Sequence, residues 1–169
     1  MEKAYIGIDP GASGYICALA PESNSVEFIA NTEKPHIIQK AVKHLFINYD
    51  LKKIMIEDVH SVFGASAKAN FNFGFNCGLL YGIIRSAGIG LDTVQPKVWQ
   101  KHIGIVTRIR KKGAPVIPAT VRKKELKKDI AAICERLYPH VNIRGTRGGL
   151  IDGKSDALMI AHYTSHIYR

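Results

Sequence analysis

Acidic residues are the scarce class in this chain: 14 Asp and Glu stand against 24 Lys and Arg, a net charge of +10. Such an imbalance points to a polyanionic partner, most simply nucleic acid, unless it serves only as a solvated basic face. Long hydrophobic runs are also missing. No stretch of about 18 apolar residues is available to span a bilayer, and no charged-then-apolar leader opens the chain, so no membrane partner is expected. Cysteine is sparse: Cys17, Cys77 and Cys134 are widely spaced in apolar segments. They read as small core residues, not as a disulfide or zinc framework, and fit a reducing cytoplasmic or nucleoid setting. The rest is ordinary for a globular protein, with 46% hydrophobic and 22% charged residues in 169, enough for one domain with a substantial core.

The positive charge is concentrated. Arg108, Arg110, Lys111, Lys112, Arg122, Lys123, Lys124, Lys127 and Lys128 fall within 21 residues that hold one acid, Glu125, so this segment carries eight of the ten net charges. Residues 103–120 contain Gly104, Gly113, Pro115 and Pro118 and read as a mobile loop. A helix is expected over 121–138. Arg144 and Arg147, in the glycine-rich stretch beyond it, suit either a phosphate grip or an ordinary solvated loop.

The amino-terminal stretch Tyr5-Ile6-Gly7-Ile8-Asp9-Pro10-Gly11 drives a buried strand straight into a carboxylate and then into a tight turn. Asp9 either caps that turn or serves as a metal or phosphate-site residue. Strands over 14–20 and 26–30 complete an antiparallel meander, and a helix over 36–49 follows Pro35. Then Lys53-Ile54-Met55-Ile56-Glu57-Asp58 repeats the opening pattern. If these two strands are parallel neighbours joined through the helix, Asp9 and Glu57 meet at one sheet edge. Strand alternation turns Asp58 to the other face.

Residues 66–87 have a helical pattern in which Gly74, Gly78 and Gly82 recur every four residues. Each costs roughly 1 kcal/mol against alanine, so three in register ask for close approach of another helix, within the fold or across a dimer two-fold. Phe71, Phe73 and Phe75 beside the stripe read as packing residues. A fifth strand over 91–95 precedes a short helix, which Trp99 anchors to the core.

The third acidic site is Asp152-Gly153-Lys154-Ser155-Asp156-Ala157-Leu158, at the start of the last helix. Asp152 and Asp156 share a helix face, and Asp152 is also a natural N-cap. His162 and His166 are four apart but, with no third ligand evident, read as surface or packing residues. Two strand-end acids plus a helical acidic pair form an all-oxygen cluster suited to Mg²⁺ or Mn²⁺ and to two-ion phosphodiester hydrolysis.

In order and spacing, these three motifs resemble the RuvC-family Holliday junction resolvases of the ribonuclease-H-like superfamily, with phage and viral members nearest in appearance. The resemblance spans essentially residues 1–169 and implies a single α/β nuclease domain: a mixed five-stranded sheet flanked by helices. It implies a homodimer that nicks four-way DNA junctions symmetrically, with two Mg²⁺ or Mn²⁺ ions per site, in the cytoplasm at the nucleoid or in a viral DNA compartment. Asp9, Glu57, Asp152 and Asp156 would be the catalytic, metal-binding carboxylates, the terminal pair spaced one residue wider than in bacterial members. The basic residues from Arg108 to Lys128 would hold DNA. Phe63, offset from the family position, would correspond to an aromatic inserted at the junction centre. The helix carrying Gly74, Gly78 and Gly82 would be the dimer helix. The alternatives are another ribonuclease-H-like nuclease, such as a transposase core or an RNA-hybrid nuclease, or a catalytically inactive branched-DNA-binding module. An actin-like ATPase would need a duplicated domain, for which the chain is too short.

Overall fold

The computed structural model describes residues 1–32, 34–60, 64–88, 90–105 and 118–169. Its centre is a five-stranded mixed sheet built from β1 (Glu2–Ile8), β2 (Tyr15–Ala20), β3 (Ser25–Ala30), β4 (Tyr49–Glu57) and β5 (Leu91–Val94). In space the strands run β3-β2-β1-β4-β5. The first three form an antiparallel meander, whereas β1–β4 and β4–β5 are parallel.

Alternation along the strands sorts the core into two layers. Ile6 and Ile8 of β1, with Ile54 and Ile56 of β4, face α1 (Pro35–Asn48) and α2 (Ala67–Ser86), meeting Ile38, Val42, Leu45, Leu80 and Ile84. The opposite parity faces α3 (Pro96–His102), α4 (Ala119–Leu137) and α5 (Asp152–Ile167), where Cys17 and Met55 join Trp99, Ile130, Cys134 and the run Ala157–Ala161. Local chemistry sets the helix starts. Pro35 and Pro96 occupy first-turn positions, and the Ser66 hydroxyl accepts the Ala69 N–H at 3.2 Å.

α5 lies unusually close on the sheet because Gly7 leaves room. A Cβ there would sit 2.2 Å from both the Ala157 carbonyl oxygen and the Ala161 nitrogen, backbone atoms that cannot swing aside. At the head of α5, a Cβ on Gly153 would sit 2.3 Å from the Ser13 carbonyl oxygen in the β1–β2 turn. These two contacts bring the start of α5 against the end of β1.

Three element boundaries differ from the sequence expectation. β1 and β4 both begin earlier, because Glu2, Lys3 and Ala4 pair with Tyr49, Asp50 and Leu51. That pairing is backbone hydrogen bonding, mostly between residues with partly exposed side chains, which hydropathy does not register. α5 begins at Asp152 with Ile151 as its N-cap, so Asp152 is the first helical residue and not the cap. Cys17 and Cys134 are buried free thiols, as expected of core residues, whereas Cys77 on α2 is only half-buried. Among the described residues no helix is long and apolar enough to cross a membrane.

Candidate active site

The parallel register pairs Gly7 with Met55 and Ile8 with Ile56, so one step further Asp9 comes alongside Glu57. By alternation both acids share the Gly7–Met55 face, beneath the head of α5, where Asp156 lies. Asp58 points the other way, where its charge acts on the Tyr81 hydroxyl of α2.

Asp9 fills both roles open to it. Its Oδ1 accepts the Gly11 N–H at 2.9 Å, capping the turn, while the group stays desolvated beside α5. Asn31 steadies the same turn by donating Nδ2 to the carbonyls of Pro10 and Gly11, at 3.1 and 2.9 Å. Glu57 Oε1 accepts the indole N–H of Trp99 at 2.9 Å. Among the described residues, Asp156 Oδ1 is fully buried without a hydrogen-bond partner.

The electrostatics follow from this crowding. Burial raises the Asp9 carboxyl, partly offset by the Gly11 N–H and by Lys127. Burial pushes Glu57 up to about 7; the Trp99 N–H opposes the rise and the Asp9 charge adds to it. Asp156 reaches about 8 through burial first, then repulsion from Asp9 and Glu57, moderated by Lys127 and Lys123. Three acids therefore act on one another within one recess.

Asp152 is engaged by a lysine. Its Oδ2 pairs with Lys127, the half-buried lysine of α4. Arg122, Lys123, Lys124 and Lys128 lie exposed on the same helix. Lys127 thus differs from its more exposed basic neighbours: it is half-buried and pairs with an acid. Arg144 is engaged in a loop contact, its Nε donating to Glu135 at 2.8 Å. Phe63, Arg108, Arg110, Lys111 and Lys112 lie outside the described residues.

Gly74, Gly78 and Gly82 are exposed, and a Cβ on any of them would meet nothing within 4 Å. Packing inside the chain therefore does not account for the stripe among the described residues. Phe71 and Phe75, read above as packing residues, are 72% and 60% exposed on the same helix. The burial of α2 instead runs through Asn76, Leu80 and Ile84.

Trp99 was legible only as a core anchor; its bond to Glu57 depends on α3 docking beside β4. That bond stabilises the charged carboxylate. Trp99→Phe is expected to raise the Glu57 pKa by about one further unit, read by carboxyl-carbon NMR titration of metal-free protein. An unchanged midpoint would mean the indole does not hold the acid in solution. The pairing of His162 and His166 also needs correction, since α3 supplies a third histidine, His102. Among the described residues this trio is the one group of three potential ligands with its ligating atoms all within 4.8 Å; the three acids stand further apart.

This sheet order and helix arrangement are the ribonuclease-H-like fold in the form seen in RuvC. The chain is similar to Thermus thermophilus RuvC in complex with a Holliday junction substrate, at 13% identity, covering 99% of this chain and 94% of that one with a TM-score of 0.60. A second Thermus thermophilus RuvC structure matches at 15% identity, 99% and 98% coverage, and a TM-score of 0.60. The yeast mitochondrial Holliday junction resolvase Ydc2 matches at 16% identity, 92% and 75% coverage, and a TM-score of 0.50. No protein-family model and no curated protein sequence matches the chain.

Proposed function

We propose that this chain is a metal-dependent, structure-selective DNA endonuclease that resolves four-way junctions by paired symmetric nicks, acting as a homodimer. The observation that carries the reading is the recess holding Asp9, Glu57 and Asp156, two of them pushed up to about 7 and about 8 and one with an unpartnered buried oxygen. Grouping acids this way destabilises a fold unless cations join them. An all-oxygen donor set fits Mg²⁺ or Mn²⁺, and Asp9, Glu57 and Asp156 would hold two such ions, with Asp152 joining once released from Lys127. Bound there, the ions supply the positive charge that polarises the scissile phosphate and eases deprotonation of the attacking water.

The chain's own residues do the remaining work. The Gly11 N–H and the Trp99 indole fix the orientation of Asp9 and Glu57. Lys127 supplies counter-charge beside Asp9 and Asp156. The exposed basic face of α4 suits the sugar–phosphate backbone, extended in this reading by Arg108, Arg110, Lys111 and Lys112, with Phe63 toward the junction centre. The open glycine stripe of α2, rimmed by Phe71 and Phe75, suits a second copy of the chain. The expected setting is the nucleoid, or a viral DNA compartment of the cytoplasm.

A substrate panel tests the proposal: four-way junction, linear duplex and RNA–DNA hybrid, each with and without metal. Preferred nicking of the junction supports it; preferred cleavage of the hybrid would move the chain to another ribonuclease-H-like activity. Replacing Lys123, Lys124 and Lys128 together by Gln is expected to flatten the slope of log affinity against log salt by roughly 2–3, since each phosphate contact contributes about 0.9. An unchanged slope would remove α4 from the DNA surface.

A further inference from the structure

Outside the carboxylate recess, α3 and α5 bring three imidazoles together. His102 ends α3, while His162 and His166 lie one helical turn apart on α5. One ring nitrogen from each falls within 4.8 Å of the others. His102 Nε2 and His166 Nδ1 are 3.2 Å apart, and the His162 and His166 ring centroids are 4.1 Å apart. Two nitrogens bound to one tetrahedral Zn²⁺ at about 2.0–2.1 Å would be about 3.3–3.4 Å apart, so the closest pair already has nearly the spacing of metal ligands.

We propose that His102, His162 and His166 form a binding site for one transition-metal dication of the Zn²⁺ class, which clamps the end of α3 to α5. Imidazole nitrogen suits Zn²⁺, Co²⁺ or Ni²⁺, whereas the acids suit hard ions, so the two sites are chemically distinct. The second atoms of the ligand set support this. His162 Nδ1 lies 2.8 Å from the Tyr138 hydroxyl oxygen, leaving Nε2 as the atom His162 has to offer. The Tyr138 hydroxyl oxygen can accept the Nδ1–H and so fix the ligating tautomer. Exposure of His102 and His166 leaves an entry path and room for water as a fourth ligand.

The clamp has a structural consequence. Trp99 and His102 are three residues apart on α3; Trp99 binds Glu57 while His102 meets α5. A metal on the trio would therefore fix the helix that orients Glu57. The proposal stands whether or not the chain is a junction resolvase.

The test is a Co²⁺ titration of untagged, chelator-stripped full-length protein, followed by visible ligand-field absorption and repeated in millimolar Mg²⁺ and in Asp9→Asn. With millimolar Mg²⁺ occupying the carboxylates, one Co²⁺ per chain is expected, at micromolar or tighter affinity, displaced by one equivalent of Zn²⁺ and unaffected by Asp9→Asn. His102→Gln and His166→Gln, both exposed and so expected to leave the fold intact by circular dichroism, should each weaken binding at least tenfold. The same two variants should remove the rise in melting temperature that Zn²⁺ gives the parent chain. Cobalt binding lost in Asp9→Asn but unchanged in both histidine variants would overturn the proposal, as would no binding tighter than millimolar.

Discussion

Asp156→Asn is expected to reduce cleavage of a four-way junction by about a thousandfold or more, the ~4 kcal/mol of barrier that loss of a group acting at the reacting phosphate costs. The same substitution is expected to stabilise the metal-free protein at pH 8. Asp156 and Glu57 are raised to about 8 and about 7, and Asp9 is raised as well. In the unfolded chain such carboxyls titrate near 4. Between those limits the folded state holds more protons than the unfolded one, so stability falls as pH rises from about 4 to about 8. A carboxyl held up to about 8 in the folded state costs on the order of 3 kcal/mol at pH 8, or roughly 6–12 °C in melting temperature. Melting curves at pH 5 and pH 8 read this directly. The parent chain should lose stability across that range and regain it with Mg²⁺ at pH 8, whereas Asp156→Asn should change less with both pH and Mg²⁺. A parent chain equally stable at both pH values without metal would mean that the acids are not crowded as described.

Gly78→Glu should turn a dimer into a monomer and lower junction cleavage at least a hundredfold while leaving the melting temperature of the monomer unchanged or higher. The separation of effects follows from the open space over the stripe, where an added Cβ meets nothing. Replacing glycine within a helix also contributes up to about 1 kcal/mol of stability. Any loss must therefore arise at a surface that a second molecule covers, where a buried unpaired carboxylate is strongly unfavourable. Sedimentation or light scattering of both proteins gives the oligomeric state. A parent chain that is monomeric over micromolar concentrations would set aside the dimer, and paired nicking with it.

The parts of this account that were legible in the sequence are those written into short-range pattern. Apolar runs ending in Asp9 and Glu57 marked two strands, and the intervening helix with its Pro35 start implied their parallel pairing, found in the Gly7–Met55 and Ile8–Ile56 register. Gly7 was visible only as part of a turn-bound strand. That it admits α5 depends on a helix about 150 residues later, which no local pattern encodes. Asp152 was grouped with the other acids by its spacing from Asp156, yet Lys127 of α4 draws it into an ion pair. The same contact separates Lys127 from its exposed neighbours, a distinction that a run of like residues conceals. Trp99 and His102 share one short helix, and their partners on β4 and α5 lie 42 and 64 residues away. Phe71 and Phe75 are exposed, and hydrophobicity alone does not say whether a side chain is covered.

Cleavage of an end-labelled synthetic four-way junction tests most directly whether Asp9, Glu57 and Asp156 make a metal-dependent junction nuclease. The parent chain and Asp9→Asn are compared with Mg²⁺ or Mn²⁺ and with chelator. Symmetrically paired nicks that require metal and disappear in Asp9→Asn, while that variant still binds the junction, are the predicted result. Nicking by Asp9→Asn at the parent rate, or tight metal-supplemented binding by the parent without any cleavage, would contradict it.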